Sequence, residues 1–517
     1  MLFNRIFRQK KETPAWRGVI IEWIEKLKTG DLSALRAVYS TFATEDTGLI
    51  RRAGEAVRLQ TASMTQTQLL GLCERFRTFS SLEWNIDWSE VYLEPVRKIL
   101  PTDTWRLVLI LGSFHPNGYF RERCVRHMAD RKDMLVWLFP RVNDWVLPIR
   151  QAACRILETQ LADLSGEELL PCLRMYERLR NGRRRTKQQM QVLEEQLTAG
   201  LSRALKETKP EQILRLDPAV RTSLYRIAAD AGLWSLPEME TYLELEKLSC
   251  LKRILIRRIF AHPDCTAEWA EHCLTDRSSQ VRRMTVEFLY EHRKDCWPGL
   301  EQMLLDKSRG VREYAAYILE RCSSLDIRGY YLAHLKEDIS GAAILGLSEY
   351  SREGNVPLFL ECLHRPERRI VKCTLLALGS QEDFTDETLL WHYVLDGHPE
   401  LSKAAYLSIR KRDFYPGAAQ IYGALSGACT EHPRRYLLNL LLREPSWERL
   451  PYLLLLYRTD LPEYEKNRIL SGIHCRSMYG KLTESLYEQV LLALEQKKDV
   501  LPAGIRENIL YDMRFLR

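Results

Sequence analysis

One apolar spacing recurs along this 517-residue chain at intervals of about 30 residues. From an apolar start residue, the positions three, four, seven and eight further on are again apolar or small, which places them on one face of an α-helix. The segments with this spacing begin at Ile149, Val220, Leu251, Val281, Val311, Ile339, Ile370 and Leu401. Because a fixed period above about 20 residues indicates stacked repeats, the chain is predicted to be an all-α solenoid of two-helix units.

The regularity of this pattern predicts three regions. Residues 115–412 form the repeat array, residues 1–114 form an N-terminal helical region with degenerate repeats, and residues 413–517 form a C-terminal helical capping region. A basic insertion near 178–187 carries an Asn-Gly turn signal and is predicted to be an exposed connection between two longer helices. Its candidate surface residues are Arg183, Arg184, Arg185 and Lys187.

Two further positions resemble the HEAT repeat in its short bacterial form. An aspartate stands five residues before several start residues, and a basic residue often stands one after. The resemblance covers roughly residues 115–412 and implies a right-handed α-α superhelix in which an aspartate–arginine ladder links neighbouring repeats. The expected ladder residues are Asp144, Arg150, Asp276, Arg282, Asp306 and Arg312. The units at Ile339, Ile370 and Leu401 lack the arginine, so we expect the ladder to be interrupted there.

The second helix of each unit carries the candidate binding surface, because in HEAT-like arrays these helices line the concave side. Positions two, six and nine after the start residue are left for solvent once the apolar positions face the helix partner and position five packs against the adjacent repeat. We call this set the second-helix strip. It consists of Arg155, Arg226, Arg253, Arg257, Phe260, Arg283, Tyr290, Tyr317, Leu345, Leu376 and Leu407.

The composition of the second-helix strip favours a binding function. Arginines with aromatic residues give way to leucines along the array, and arginine and aromatic side chains are the usual hot spots of protein interfaces. The strip therefore predicts a non-enzymatic scaffold for a protein or peptide with acidic and apolar groups. In the alternative structural interpretation, the arginines are ordinary solvated helix residues and the leucines pack under a curled end of the superhelix.

A nucleic-acid partner is the competing functional hypothesis, because a basic groove with aromatics can hold phosphates and stack bases. Some HEAT-like solenoids bind DNA and one class removes alkylated bases, but no motif of such an enzyme matches this chain. Signatures of nucleotide-binding, hydrolase and metalloprotease sites are also absent from the sequence, so we assign no catalytic residue and expect no cofactor. His262, Cys265, His272 and Cys273 are metal-ligand types within a short segment, but His272 and Cys273 point about 100° apart on a helix, so no metal is expected.

Composition and cysteine content indicate the solubility and the cellular location expected for the protein. With 45% hydrophobic and 28% charged residues and a net charge of +7, the chain is expected to be soluble and to favour acidic partners mildly. The sequence lacks an apolar run of about 18 residues and a signal peptide, and its 13 cysteines are interpreted as reduced thiols, so the predicted location is cytoplasmic. Residues 1–11 place four large apolar side chains on one helical face, which can dock at an anionic membrane surface or cap the first helix.

Overall fold

The computed structural model describes residues 14–79, 86–337, 339–427, 431–477, 479, 482–502 and 504–516. Every regular element in these ranges is a helix, so the predicted all-α class is confirmed. None of these helices is long and apolar enough to cross a membrane. The segment 1–11, for which a membrane-surface role was predicted, lies outside the described residues. The chain divides into two compact units, Met1–Cys265 and Thr266–Arg517.

The α-helices of the first unit alternate with short 3₁₀ segments. They are α1 (Pro14–Lys28), α2 (Leu35–Tyr39), α3 (Thr47–Thr61), α4 (Gln66–Arg75), α5 (Glu94–Ile99), α6 (Thr102–Gly112), α7 (Gly118–His127), α8 (Phe139–Val142), α9 (Leu147–Gln160), α10 (Gly166–Arg180), α11 (Lys187–Ala204), α12 (Pro210–Leu214), α13 (Pro218–Asp230), α14 (Leu236–Leu245) and α15 (Ser249–Phe260).

The second unit continues in the same manner. Its helices are α16 (Ala267–His272), α17 (Ser279–Arg293), α18 (Arg309–Cys322), α19 (Ile327–Glu337), α20 (Gly341–Tyr350), α21 (Val356–Cys362), α22 (Arg368–Leu378), α23 (Glu387–Leu395), α24 (Pro399–Lys411), α25 (Ala418–Ser426), α26 (Glu431–Leu441), α27 (Ser446–Leu456), α28 (Glu463–His474), α29 (Glu484–Gln496) and α30 (Ile505–Met513).

Within each unit, the second helices of successive repeats pack side by side. In the first unit α13 packs against α10 and α15, and in the second unit α17, α18, α20, α22 and α24 pack in chain order. All start residues except the half-buried Ile339 are buried, and so are most side chains at position five, including Tyr225, Ile256, Val286, Ile344 and Leu375. The helical period therefore predicts both buried faces of the second helix, one toward its own repeat and one toward the next.

The first helix of a repeat is often shorter than the spacing predicts. The apolar run from Trp297 to Leu305 forms only a 3₁₀ segment, Leu300–Leu305, after Gly299 in the left-handed region (φ 91°). The run from Val356 to Leu363 forms the seven-residue helix α21. Two buried leucines, Leu300 and Leu304, are enough to cover the second helix at this point. The second helices thus carry most of the regular structure.

The aspartates before four of the second helices are turn residues. Each carboxylate accepts a hydrogen bond from the backbone N–H two residues further on, which fixes the entry of the chain into the helix. The pairs are Asp144 with Val146 (3.0 Å), Asp276 with Ser278 (2.6 Å), Asp306 with Ser308 (2.6 Å) and Asp396 with His398 (2.7 Å).

Candidate binding surface

Arginines at the start of the second helices link neighbouring repeats. Arg282 donates from Nε and Nη2 to the two carboxylate oxygens of Asp306, at 2.6 and 2.7 Å, and from Nη1 to the carbonyl of Asp276 at 2.7 Å. Hydrogen bonding to Asp306 raises the pKa of Arg282. Arg312 repeats the arrangement with the Asp306 carbonyl at 2.7 Å and the Glu349 carboxylate at 2.6 to 2.9 Å. Each arginine therefore donates hydrogen bonds to a carbonyl of its own repeat and to a carboxylate of the next repeat.

The ladder departs from the expectation at two places. Arg150 donates to the carbonyls of Asp144 (2.7 Å) and Trp145 (3.1 Å), while the Asp144 carboxylate is bound by Arg121 at 3.0 Å. At the step into the unit at Ile339, the carboxylate bound by Arg312 is that of Glu349 within α20 rather than an aspartate before the helix. Similar pairs recur in the predicted capping region, Arg434 with Glu465 and Arg476 with Asp512.

In the first unit, the second-helix strip contains three exposed arginines and one half-buried arginine. Arg155, Arg253 and Arg257 are exposed. Across residues 14–79 and 86–265, no hydrogen-bond acceptor or carboxylate contacts their guanidinium groups. Arg226 differs from the expectation of a solvent-facing residue: its side chain is only 12% exposed and lies 2.7 Å from Glu194. Because Glu194 belongs to α11, the helix after the insertion, a helical wheel of α13 alone cannot predict the contact between Arg226 and Glu194. Phe260 is half-buried.

In the second unit, two strip residues, Arg283 and Tyr317, belong to a run in which two stacked tyrosines lie between two arginines. The guanidinium carbon of Arg283 lies 5.8 Å from the ring centroid of Tyr314, whose ring stacks on Tyr317 at 5.8 Å and 8°. Arg321 lies 3.6 Å over the ring of Tyr317, which is 42% exposed. Tyr314 and Arg321 were not predicted as strip residues, although their spacing of three and four from Tyr317 is that of helix-surface neighbours. Tyr290 of the strip is half-buried.

The apolar end of the strip is only partly accessible. Leu345 and Leu376 are half-buried, and Leu407 is 39% exposed. The structural interpretation of the leucines therefore fits Leu345 and Leu376 better than Leu407.

The basic insertion is a short connection that is held at both ends. Arg183, Arg184 and Lys187 are exposed, and Arg185 is half-buried. The Arg185 Nε donates to the carbonyl of Arg180 at 2.8 Å, and the Arg184 backbone N–H donates to Asn143 Oδ1 at 2.8 Å. The flanking helices α10 and α11 have 15 and 18 residues, which matches the expectation of longer helices here.

One pair of cysteines contradicts the interpretation of all thiols as reduced. Cys296 and Cys322, 26 residues apart, form a disulfide between the turn after α17 and the end of α18. With Asp295 they are also the one group of three metal-ligand side chains within the described part of the chain. The sulfurs are bonded to each other, so this group has no thiolate to offer an ion. The segment with His262, Cys265, His272 and Cys273 forms no such group.

Comparison with known proteins finds no sequence relative and only distant structural similarity. No family model matches the chain, and no curated protein does. A structure of Kap95p with RanGDP aligns at 11% identity and a TM-score of 0.30, covering 98% of this chain and 68% of that one. A structure of the karyopherin Kap121p bound to the extreme C-terminus of the phosphatase Cdc14p aligns at 12% identity and 0.29, covering 94% and 56%. A homology model of the AP-3 complex aligns at 11% identity and 0.26, covering 98% and 91%. At TM-scores this far below 0.5, none of these similarities bears on what this chain binds.

Proposed function

We propose that this protein is a non-enzymatic scaffold of the short bacterial HEAT-like type, and that its second-helix strip binds a protein or peptide carrying acidic and apolar groups. The observation that carries the proposal is the run Arg283, Tyr314, Tyr317 and Arg321 on the second unit. Stacked tyrosines held between arginines are rigid before binding, so little side-chain entropy is lost on association. Arginine and tyrosine are also the residue types enriched at binding hot spots.

The charge of the partner follows from the arginines of the first unit. Arg253 and Arg257 lie one turn apart on α15, and in the described part of this unit neither has an acidic partner. Like charges at this spacing destabilise a helix by about 0.2–0.5 kcal/mol, which a carboxylate from a partner removes. A hydrogen bond to a charged group contributes about 1.5–3 kcal/mol, so one or two such contacts account for a clear preference for acidic side chains.

The competing hypothesis, a nucleic-acid binder, is favoured by the same stacked tyrosines, because bases stack on aromatic rings with little sequence preference. The two hypotheses differ in salt dependence. Several phosphate contacts make log K fall steeply with log salt, whereas a peptide held partly by Tyr317 and Leu407 keeps its apolar contribution at high salt.

The proposal is tested by fluorescence anisotropy with the full chain and three labelled probes: an acidic peptide containing Phe and Leu, its Asn/Gln counterpart, and a single-stranded oligonucleotide. We expect the acidic peptide to bind best and the variant R253E/R257E/R283E to weaken it by at least about tenfold. The matched control R58E/R203E/R215E changes the net charge equally at exposed arginines outside the strip. Equal losses in both variants, or tightest binding to the oligonucleotide, would contradict the proposal.

A further inference from the structure

A tryptophan in the first unit is exposed beside a cluster of buried arginines. Trp145 lies in the turn between α8 and α9, and 56% of its surface is exposed. The guanidinium carbons of Arg77 and Arg121 lie 4.2 and 5.2 Å from the centroid of its ring. In three other repeats the position after the turn acid is a lysine or arginine: Lys247, Arg277 and Lys307. The large apolar side chain at this turn is therefore a local departure from the repeat pattern.

The cluster beneath Trp145 carries more positive than negative charge. Arg121 and Arg141 each donate to one carboxylate oxygen of Asp144 at 3.0 Å, and all three residues are buried. Arg77 is half-buried against the same group. Burial lowers the pKa of Arg141 to about 10 despite Asp144, and burial together with Arg121 lowers that of Arg77. The charges of three guanidinium groups are therefore balanced by a single carboxylate, and two of these groups contact it.

Arg150 adds a further positive charge beside this cluster. It donates to the carbonyls of Asp144 and Trp145, and these backbone oxygens bring no negative charge. Within the described parts of the first unit, the guanidinium groups of Arg77, Arg121 and Arg141 are balanced by the Asp144 carboxylate alone, so a second carboxylate would improve the charge balance.

Arg77 can supply the contacts that such a carboxylate needs. Its Nε donates to the carbonyl of Phe114 at 3.2 Å, and within the described parts of the first unit its Nη1 and Nη2 groups have no acceptor. A guanidinium that is fixed by one hydrogen bond and one aromatic ring is pre-oriented for a two-point contact with a carboxylate. Leu147, two residues beyond Trp145, is 51% exposed and extends the apolar area.

We propose that Trp145, Arg77 and Leu147, here named the Trp145 surface, bind an acidic peptide segment of a partner protein. A carboxylate of the segment accepts from the Nη groups of Arg77, and a neighbouring apolar side chain packs on the indole ring and Leu147. The excess of arginine over carboxylate selects an acidic segment. A single exposed indole suits one apolar side chain better than a row of bases. This surface uses no residue of the second-helix strip and does not depend on the function proposed for it.

The test uses a readout local to Trp145, which separates it from binding at the strip. Full-length protein is labelled with 5-fluorotryptophan, and the ¹⁹F resonance of Trp145 is assigned by its loss in Trp145→Phe. Three probes are titrated to millimolar concentration: a peptide with Asp and Glu flanking Leu and Phe, the same peptide with Asn and Gln, and a single-stranded oligonucleotide. We expect the acidic peptide alone to shift this resonance.

Substitutions of Arg77 test whether its side chain binds the carboxylate of the peptide. R77Q, checked for folding by circular dichroism, is expected to weaken the acidic-peptide shift by about tenfold or more, whereas R215Q, at an exposed arginine elsewhere in the unit, leaves it unchanged. If R77Q unfolds, R77K is used instead. R77K keeps the positive charge but removes the planar two-point contact, so it is also expected to weaken the acidic-peptide shift. A Trp145 resonance that does not respond to the acidic peptide, that responds equally to the neutral peptide, or that responds only to a single-stranded oligonucleotide would overturn the proposal.

Discussion

Removal of the Asp306 carboxylate tests whether the ladder holds successive repeats together. The Arg282 and Asp306 side chains are only 12% and 7% exposed and make two parallel hydrogen bonds. Asp306→Ala leaves the guanidinium buried without its counter-charge, which costs about 3–5 kcal/mol. The same substitution removes the acceptor of the Ser308 N–H at the entry to α18.

A matched pair in the first unit has the same geometry but lies nearer the solvent. Arg258 donates from Nε and Nη2 to both oxygens of Asp230, at 2.8 and 2.9 Å, and the Asp230 side chain is 47% exposed. Such a pair contributes about 0.2–1 kcal/mol, so Asp230→Ala is expected to cost several-fold less than Asp306→Ala. Both substitutions remove a two-point contact between arginine and aspartate, so the difference in their cost reports burial together with the lost Ser308 N–H hydrogen bond.

The assay is urea unfolding followed by circular dichroism, together with hydrogen exchange of the α17 and α18 amides, since repeat arrays can open locally. The double variant Arg282→Met with Asp306→Leu is expected to recover at least half of the loss, because no buried charge remains. If Asp306→Ala and Asp230→Ala cost the same within about 1 kcal/mol, or if the double variant is no more stable than Asp306→Ala, the reasoning from burial is refuted.

Three further predictions concern single features of the fold, each measured by urea unfolding. Gly379→Ala is expected to destabilise the protein by about 1–3 kcal/mol, because a Cβ at this position would lie 2.8 Å from the Ser408 Cα. Gly423→Ala, which has open space around the added Cβ, is expected to stabilise it by up to about 1 kcal/mol. The opposite order of the two effects would contradict the close approach of α22 and α24. Reduction of the Cys296–Cys322 disulfide is expected to cost up to about 3.5 kcal/mol for its 26-residue separation, and alkylation of both cysteines without prior reduction would contradict the pairing.

The second helices were predictable because their constraints are local. One amphipathic period predicted both buried faces, and an aspartate marked the turn before four of these helices. Two helix starts are equally local: the carboxylates of Glu168 and Glu238 accept hydrogen bonds from Ser165 and Ser235, each three residues earlier. Asp460 also stands three residues before a glutamate, Glu463, but its carboxylate binds Arg458 at 3.1 Å.

The features that escaped sequence reasoning are contacts between side chains distant in the chain. Arg226 has the position of a solvent-facing residue on its own helix, and only the fold brings Glu194 to it. Arg77 and Trp145 are likewise joined by the stacking of helices from different repeats. With 13 cysteines, the spacing of Cys296 and Cys322 alone gave no reason to choose that pair.

Site-specific photo-crosslinking tests directly whether the second-helix strip is the site of a protein partner. A benzoylphenylalanine replaces Tyr317 in the full chain expressed in its host, and in a matched variant it replaces Tyr464, which is 54% exposed at the start of α28. We predict that Tyr317, but not Tyr464, yields a discrete crosslinked protein whose attached segment contains acidic and apolar residues. Crosslinks from Tyr317 to nucleic acid, or the same products from both positions, would contradict the account.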